Sequence, residues 1–423
     1  MLILTIYIIL FVLAYLAYNF VAKQRVSRSG LNQRKTVTFG DESAVTPNRV
    51  ASVISVLSLL LIWGAFTGST LVPIHVAGPF TGDTAFSYTA RNAQNQTDDA
   101  TVHIRVKALA EKATKPVIDT DASSGFARDD ALLVTAWRSG LVRVQKNDDG
   151  GKHRAYRVIA INGEAITPKQ SVAVDDGVVS MTAKGTLSFT PDPGWQMEPI
   201  WLPAPEAVLN RLLEIAADGY QNVSLFDNVG WSLLRVIAGF LLGSLVGIPL
   251  GYAMGLSNWF RGWFDPIVEF MRPIPPLALI PLVIIWFGIW ETGKISLLFL
   301  AALWIMTIAA RAGVSGVNIA KVHAAYSLGA SKFQILVHVI IPNSLPEIFT
   351  GARVAMGVCW GTVVAAELVA AEKGAGKMII AASKFQQTDV VIMGIILIGI
   401  IGYGIDILMR KAENVLVPWK GKS

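Results

Sequence analysis

The sequence predicts an all-α polytopic membrane bundle of about seven transmembrane helices, with an inserted extracytoplasmic β-sandwich. Apolar residues make up 53% of the 423 residues and charged residues 16%. One bilayer crossing takes about 20 largely apolar residues, and several segments meet that requirement. Residues 75–200 are instead polar and rich in Asp, Thr and Gly. This stretch is long enough to form a separate domain of about 100 residues.

The net charge of +6 is concentrated beside the apolar segments. The residues that carry it are Lys23, Arg25, Arg28, Arg34, Lys35, Arg410, Lys411, Lys420 and Lys422. Basic residues that flank transmembrane segments mark the cytoplasmic side of a membrane. The charge therefore indicates a multi-pass protein of the cell inner membrane with a lipid bilayer as partner, and not a nucleic-acid partner.

The first apolar run predicts an extra N-terminal transmembrane helix over residues 1–22. Its basic residues follow the run, whereas a signal peptide carries them before it. We therefore expect an uncleaved helix with its N-terminus outside. Residues 23–49 form a basic cytoplasmic linker, and residues 50–74 contain the first core helix, which runs outward. The domain at residues 75–200 then lies in the periplasm.

The transmembrane core is predicted over residues 201–423. Its spans alternate in direction and are expected at residues 231–256, 262–288, 294–313, 346–370 and 389–409. The span at residues 262–288 is expected to be broken by Pro273, Pro275, Pro276 and Pro281. The first of them carries glycines at roughly helical-turn spacing, from Gly239 to Gly255. Small residues allow close approach of transmembrane helices, within or between subunits.

Short alternating runs in the polar domain predict β-strands. These runs are AFSYTA, ATVHIRVKA, RVIAI, VVSMTA and GTLSFTP. Turn residues separate them, including Asp148 to Gly151 and the pair Asn162-Gly163, a strong hairpin signal. The pattern indicates an all-β sandwich of about seven strands. It shows no cluster of aromatic and basic residues suited to a sulfonate.

The cytoplasmic segment at residues 314–345 holds a distinctive pattern, which begins HAAYSLGASKFQILVHVIIP at His323. A short helix, Gly329 and a second amphipathic stretch ending at Pro342 predict a helix–turn–helix bracket between two spans. Small residues in it would let another protein lie close to the backbone. On spacing alone, an ordinary cytoplasmic loop explains the pattern equally well.

This pattern resembles the coupling loop of binding-protein-dependent ABC transporter permeases. In that family the loop docks in a cleft of the ATPase subunit. The resemblance assigns ATPase coupling to His323, Ala324, Ala325, Gly329, Ala330 and Ser331. The family usually has Glu where this chain has His323, so no Glu-mediated contact is carried over. Gly329 and the Leu345-Pro346 ending fit the family pattern.

The resemblance extends over residues 51–67 and 201–423. The stretches FDPIVEFMRPIPPLALIPLVIIWFGIWETGKI and GARVAMGVCWGTVVAAELVAAEKGAGKMI are similar to the sulfonate, nitrate and taurine branch, and the ending VPWKGKS to taurine permeases. It implies a type I importer permease that forms a homodimer, with an ATPase subunit pair and a periplasmic solute-binding protein. It also implies that this chain binds no cofactor, because ATP and Mg are used by the ATPase.

The inserted domain has no counterpart in the typical permease. Its pattern resembles cadherin-like bacterial repeats in a permuted order. Residues 128–194 look like the first part of a repeat, and residues 78–107 look like its last part. A circular permutation at an exposed turn is tolerated. It brings both ends of the domain to one tip, near His75 and Pro199.

Charged residues inside membrane segments are candidates for the solute pathway, because burying them is costly. We assign Glu269, Arg272, Pro275 and Glu367 to that pathway. Glu269 and Arg272 share a helix face, so a simple ion pair is the alternative explanation. Arg235 is expected to extend to the lipid headgroups.

Catalytic motifs are missing from the sequence. Gly374-Ala375-Gly376-Lys377 lacks the first Gly and the final Ser or Thr of a phosphate-binding loop. The histidines show no metal-binding spacing, and the single cysteine, Cys359, lies in an apolar run. The chain is therefore predicted to be a transmembrane subunit without catalytic or metal-binding residues of its own.

Three functions remain open from the sequence. The first is an importer of taurine or a related sulfonate. The second is an importer of nitrate or another small anion, because the permease sequence need not fix the solute. The third is an envelope scaffold or adhesion protein that uses the β domain, which leaves the coupling pattern unexplained.

Overall fold

The structure is a computed structural model that describes residues 2–28, 48–117, 125–151, 153 and 155–419. Its chain divides into two compact units, residues 1–206 and residues 207–423. Most of the predicted cytoplasmic linker, with Arg34 and Lys35, lies outside the described residues. So do Lys420 and Lys422.

Two long helices open the first unit, α1 (Leu2–Arg28) and α2 (Arg49–Thr67). The α1 helix extends past the predicted end at residue 22. Tyr7 of α1 and Ser55 of α2 share a hydrogen bond of 2.7 Å between their hydroxyl groups. The side chain of Asn48 caps the start of α2, and Gly68 ends it in the left-handed conformation, with φ of 63°.

Nine strands follow among the described residues, two more than the seven or so predicted. Their bounds are β1 Gly82–Arg91, β2 Thr97–Lys107, β3 Asp130–Thr135, β4 Gly140–Val142, β5 Arg157–Ile161, β6 Glu164–Ala165, β7 Ser171–Val174, β8 Gly177–Met181 and β9 Leu187–Pro191. They form a five-stranded sheet in the order β3-β2-β1-β5-β6 and a four-stranded sheet in the order β4-β9-β8-β7. Buried side chains from both sheets form one core, which includes Tyr88, Val102, Val179 and Phe189.

The first sheet places β1 and β2 between β3 and β5, and β2 pairs in parallel with β3. Chain order alone does not lead to this arrangement, because β1 and β2 come first in the chain. The interpretation of these two strands as the last part of a permuted repeat stays a prediction. Asn162 and Gly163 both have positive φ at the hairpin between β5 and β6, as their sequence predicts.

The two ends of the β domain lie side by side. The Phe80 amide donates to the Asp192 carbonyl (3.0 Å), and the Trp195 amide donates to the Ala77 carbonyl (2.8 Å). The Met197 amide donates to the Phe66 carbonyl at the end of α2 (2.8 Å). The domain therefore leaves α2 through a pair of hydrogen-bonded segments and not through a free linker.

Two aspartates, the buried Asp148 and the half-buried Asp130, lie at the core of the sandwich. Asp148 accepts hydrogen bonds from the Tyr88 and Tyr156 hydroxyls and from the Arg128 amide. Burial, together with the charge of Asp148, raises the pKa of Asp130 to about 7. Burial also raises the pKa of Asp148.

We predict that the β domain loses stability between pH 4 and about pH 7. The raised pKa of Asp130 means that the folded domain binds this proton more tightly than the unfolded chain. The stabilisation is complete below the ordinary value of 3.8 and is lost as the pH rises through about 7. The melting temperature of the excised domain, residues 76–199, should fall as the pH rises. Asp130→Asn should reduce this fall, as measured by circular dichroism. The exposed Asp175→Asn is the control, and an unchanged pH profile in Asp130→Asn would contradict the prediction.

The second unit is helical. Its helices are α3 Pro205–Asp218, α4 Leu225–Leu256, α5 Asn258–Met271, α6 Ile280–Phe287, α7 Glu291–Ser315, α8 Ile319–Ser327, α9 Lys332–Ile335, α10 Ile341–Ala370, α11 Ala375–Lys384 and α12 Thr388–Leu416. The boundary between the units falls inside α3. Across the described residues of both units, six helices are long and apolar enough to cross a membrane, or up to seven if α5 and α6 form one span. The prediction of about seven spans is confirmed.

The glycine face of α4 packs against α7 of the same chain. A Cβ atom at Gly239, Gly243 or Gly251 would lie 2.3–2.6 Å from an atom of α7. Gly239 contacts Leu298 and Gly255 contacts Val314, so the contacts advance together along both helices and the helices run parallel. The sequence left open whether these glycines pack helices within a subunit or between subunits. The structure shows packing within the subunit.

The remaining spans give the unit two distinct ends. Gly351 of α10 contacts Ala309, whereas Cys359 donates to the Leu298 carbonyl (3.5 Å), so α10 runs antiparallel to α7. Trp360 donates to the Ile398 carbonyl (3.1 Å) of α12. We call the end that holds the starts of α4 and α7 the Arg235 end, and the opposite end the Arg311 end.

The span predicted at residues 262–288 is bent by 90° between α5 and α6. Pro273, Pro275 and Pro276 lie in or beside the break. Proline lacks the amide hydrogen that continues a helix and disfavours helical backbone in the residue before it. The break that these prolines predicted in this span is therefore present, between Met271 and Pro276.

Gly243→Leu should separate α4 from α7. The new side chain has no room, because a Cβ atom there already lies 2.6 Å from Ala302 Cβ. Overpacking of this kind costs about 1–3 kcal/mol or more. Gly230→Leu is the matched control, since a Cβ atom at that position of α4 meets nothing within 4 Å. Melting temperatures of the purified protein should fall for Gly243→Leu alone, and equal values for the two variants would refute this packing.

Candidate functional site: a buried charge network and an exposed coupling segment

Arg235 of α4 is the centre of a buried charge network at the Arg235 end. Its guanidinium group binds both carboxylate oxygens of Glu291 on α7, at 2.6 and 2.9 Å. Its third nitrogen donates to Glu367 of α10 at 2.6 Å and to the Lys373 carbonyl at 2.9 Å. Arg235 is almost fully buried. The expectation that it reaches the lipid headgroups is wrong, because two carboxylates within the chain satisfy it.

Glu367 is fully buried and its carboxylate is occupied. It accepts from Arg235, from the Ser232 hydroxyl (2.8 and 3.0 Å) and from the Gly376 amide (3.0 Å). These contacts join α4 to α10 and to the loop at Gly376. The assignment of Glu367 to the solute pathway stays a prediction.

The loop after α10 lies against this network. The Gly374 amide donates to Asn228 Oδ1 (2.9 Å), and the Ala375 amide donates to the Ser232 hydroxyl (3.0 Å). Gly374 has φ of 142°, and a Cβ atom there would lie 2.4 Å from the Glu367 carboxylate. The glycines of the Gly-Ala-Gly-Lys stretch thus serve close packing against a buried carboxylate.

The network is neutral in total. Lys294 of α7 donates to Glu291 at 2.8 Å, so Arg235 and Lys294 balance Glu291 and Glu367. Removing one partner of a buried ion pair leaves a charge without compensation and is strongly destabilising. The arrangement holds the starts of α4 and α7 and the end of α10 in one position.

The other predicted pathway residues lie near the Arg311 end. Glu269 and Arg272 form an ion pair of 3.8 Å, as the alternative explanation predicted. Glu269 also accepts from Arg311 of α7 (3.0 Å), which contacts Asp265 as well. Pro275 is exposed just before a single 3₁₀ turn at Pro276–Leu279. Nothing in the structure tests whether these three residues meet a solute.

The predicted bracket between α7 and α10 is present. Asn318 caps α8, and Ser331 and Gln334 form a reciprocal capping box at the start of α9. Gly329 links the two helices with φ of 78°, a conformation that favours glycine. A π-helical turn at Leu336–Ile340 leads into α10.

The bracket exposes apolar side chains. Leu328 is 88% exposed and Phe333 is 73% exposed, on either side of the turn. His323, Ala324, Gly329 and Ser331 are exposed, whereas Ala325 and Ala330 are half-buried. An exposed apolar patch of this kind is typical of a site for another protein.

An open cleft in the β domain collects basic side chains. Arg143, Lys146, His153 and Lys184 line it together with the buried ring of Tyr156. The sequence did not predict this basic cleft, and whether it suits a sulfonate is not decided by its lining, because the aromatic ring of Tyr156 is buried. Arg143, Lys146 and His153 are close in the chain, and the turn between β8 and β9 brings the distant Lys184 to them.

Sequence reasoning missed the partners of Arg235. Glu291 and Lys294 lie at the start of α7, and Glu291 precedes the span predicted at residues 294–313. The available signal was the coincidence of three charged residues, Arg235, Glu291 and Glu367, at the same predicted depth of three different spans. Opposite charges at equal depth in a membrane bundle are expected to pair.

Comparison with known proteins gives a consistent assignment. A family model described as binding-protein-dependent transport system inner membrane component matches residues 225–414. The taurine transport system permease protein TauC of Escherichia coli (strain K12) is 46% identical over 227 residues, which is 53% of this chain and 82% of that protein. The nitrate import permease protein NrtB of Synechocystis is 31% identical over 231 residues, 52% of this chain and 82% of that protein.

A third relative is the aliphatic sulfonates transport permease protein SsuC of Escherichia coli, 37% identical over 226 residues, 53% of this chain and 84% of that protein. A multi-pass helical core with an exposed bracket between two spans defines an integral membrane transport subunit. The chain belongs to the family of binding-protein-dependent transport system inner membrane components. It is an ABC transporter permease of the taurine, sulfonate and nitrate branch, and not an enzyme.

Arg235→Met should destabilise the bundle by about 3–5 kcal/mol, because Glu367 is left buried without its cation. The double variant Arg235→Met/Glu367→Gln should recover part of that loss, since it no longer buries an unpaired charge. Melting temperatures of the four members of this cycle give the coupling energy. Arg272→Met, which removes an exposed arginine, is the control. Additive effects of the two single changes would contradict the network.

Proposed function

We propose that this chain is the permease of an ATP-driven importer for taurine or a related sulfonate. The observation that carries the solute class is the 46% identity to a taurine permease over most of that protein. The buried network supports a membrane bundle that changes shape as a unit, because it ties three spans at one end. A solute path between such bundles needs no catalytic group.

The Arg235 end is proposed to face the periplasm and the Arg311 end the cytoplasm. The parallel pair α4 and α7 and the antiparallel α10 match the alternation of spans that the basic residues predicted. Arg410 and Lys411 lie at the end of α12 that belongs to the Arg311 end. With this orientation the bracket of α8 and α9 lies in the cytoplasm, where ATP is available.

Two copies of the chain are proposed to work with an ATPase subunit pair. His323, Ala324, Ala325, Gly329, Ala330 and Ser331 supply the close backbone approach, and ATP and Mg are used by the ATPase. Leu328 and Phe333 extend this list as apolar contacts, because they are exposed on the same bracket.

The domain over residues 75–200 is proposed to stand in the periplasm and to meet the solute-binding protein or the second permease copy. Its paired ends support this modular role, because they need only one attachment on the membrane side. The extra helix at residues 1–22, the linker at 23–49, the first core helix at 50–74 and the core at 201–423 complete the proposed domain division. Glu269, Arg272 and Pro275 remain the proposed pathway residues near the bend.

Uptake of labelled taurine by the assembled transporter in proteoliposomes tests the solute. Addition of ATP and the solute-binding protein should drive accumulation, and an excess of an alkanesulfonate should compete. Competition by nitrate alone would instead favour a nitrate importer, the function of the 31% identical relative. Failure of the chain to assemble with any ATPase would favour an envelope scaffold.

Phe333→Asp should abolish docking of the ATPase. A carboxylate in an interface that excludes water must be desolvated without a partner, which costs several kcal/mol. Val415→Asp is the matched control, since Val415 is equally exposed at the end of α12 outside the bracket. Co-purification of the ATPase should be lost in Phe333→Asp and retained in Val415→Asp. Transport at the wild-type rate by Phe333→Asp would show that the bracket is not the docking site.

A further inference from the structure

An apolar groove lies between α1 and α2 in the first unit. Its volume is about 400 Å³, and one face of each helix forms a wall. The lining runs from Tyr7 to Tyr18 on α1 and from Asn48 to Ser58 on α2, and it contains no charged side chain. None of residues 2–20 of α1 is buried. The α1 helix therefore leaves a gap along α2 and does not close on it.

The groove has the length and width of a slender apolar chain. From Tyr7 to Tyr18 the α1 helix rises about 16 Å, which is close to half of the roughly 30 Å hydrocarbon core of a bilayer. The hydroxyl groups of Tyr7 and Ser55 share a hydrogen bond of 2.7 Å and join the two helices. A third helix, about 10–12 Å wide, has no room between helices joined in this way. An apolar gap stays dry, and its walls lose dispersion contacts unless an apolar molecule fills it.

Basic residues lie at the other end of the groove. Arg49, the first residue of α2, is exposed, and among the described residues it has no ion-pair partner. The facing helix α1 continues past Tyr18 through Lys23, Arg25 and Arg28. Basic residues at the end of a span mark the cytoplasmic side and attract anionic lipid headgroups. The charge at this end of the groove therefore complements a phosphate.

We propose that this groove binds one acyl chain of an anionic phospholipid from the cytoplasmic leaflet, with the lipid phosphate beside Arg49. Tyr15 and Tyr18 line the end nearest the headgroups and are about half exposed. Tyrosine suits this level of a membrane, because its ring is apolar and its hydroxyl group is polar. The bound lipid fills the gap between the helices and so attaches α1 to the first core helix. The inference does not depend on the transported solute.

Photocrosslinking of the purified permease in phosphatidylcholine nanodiscs tests the groove. The probe is phosphatidylglycerol with a diazirine group in one acyl chain, and mass spectrometry locates the labelled residues. Labelling should concentrate between Tyr7 and Tyr18, and unlabelled phosphatidylglycerol should compete with it. Ala14→Phe fills the groove and should remove this labelling. Ala17→Phe is the matched control, because it makes the same change at an exposed position of α1 outside the lining, and it should keep the labelling.

Two further variants separate the acyl chain from the headgroup. Ala51→Phe fills the groove from α2 and should remove the labelling as well, which guards against a folding defect in Ala14→Phe. Arg49→Gln leaves the apolar walls in place and should weaken labelling by phosphatidylglycerol about fivefold, the effect of one basic residue at an anionic membrane surface.

Three results would overturn the proposal. The first is labelling that stays at the wild-type level in folded Ala14→Phe and Ala51→Phe. The second is equal labelling of the wild-type protein by a phosphatidylcholine probe with the same acyl chain, because the headgroup then plays no part. The third is a different occupant, shown by crosslinks between two copies across the groove or by competition from oleate as strong as that from phosphatidylglycerol.

Discussion

The burial of Arg235 between Glu291 and Glu367 is the constraint on which the Arg235 end of the bundle depends. A guanidinium group in a membrane segment is tolerated only when carboxylates of the same chain meet it, and here they come from two other spans. The position of Glu367 in turn fixes the loop at Gly374 to Gly376. The backbone amides of this loop donate hydrogen bonds to Asn228, Ser232 and Glu367. These contacts thereby join the end of α10 and the loop that follows it to α4.

Close helix packing supplies the complementary constraint. The glycines of α4 bring its backbone against α7, so these two parallel helices move together. The same contacts place Arg235 within reach of Glu291. Arg235 lies about one turn before Gly239 on α4, and Glu291 lies about two turns before Leu298, the residue that Gly239 contacts on α7. Packing and charge therefore depend on each other, since a shift of α4 along α7 by one turn would separate the ion pair by about 5 Å.

Within the second unit, the exposed bracket offers a surface to a partner and the buried network holds the helices in position. The bracket has strong local signals, the caps at Asn318 and Ser331 and the left-handed Gly329, and it keeps its shape without burying its apolar residues. Leu328 and Phe333 are consequently available to a partner. The β domain follows the same logic in the first unit, because its own core and its paired ends give it a shape independent of the membrane helices.

The sequence by itself determined the elements with local signals. The length of the apolar runs predicted the spans, and the pair Asn162-Gly163 predicted a hairpin. The pattern from His323 to Pro342 predicted the bracket. Each of these elements depends on residues that are neighbours in the chain. The tertiary structure alone decided the partners. It turned Arg235 inward and paired it with Glu367. It also set the angle of 90° at the break that the prolines predicted between α5 and α6, and it gathered Arg143 and Lys184 in one cleft. Each of these outcomes depends on which residues from distant segments meet in space, and hydrophobicity and periodicity carry no information about that.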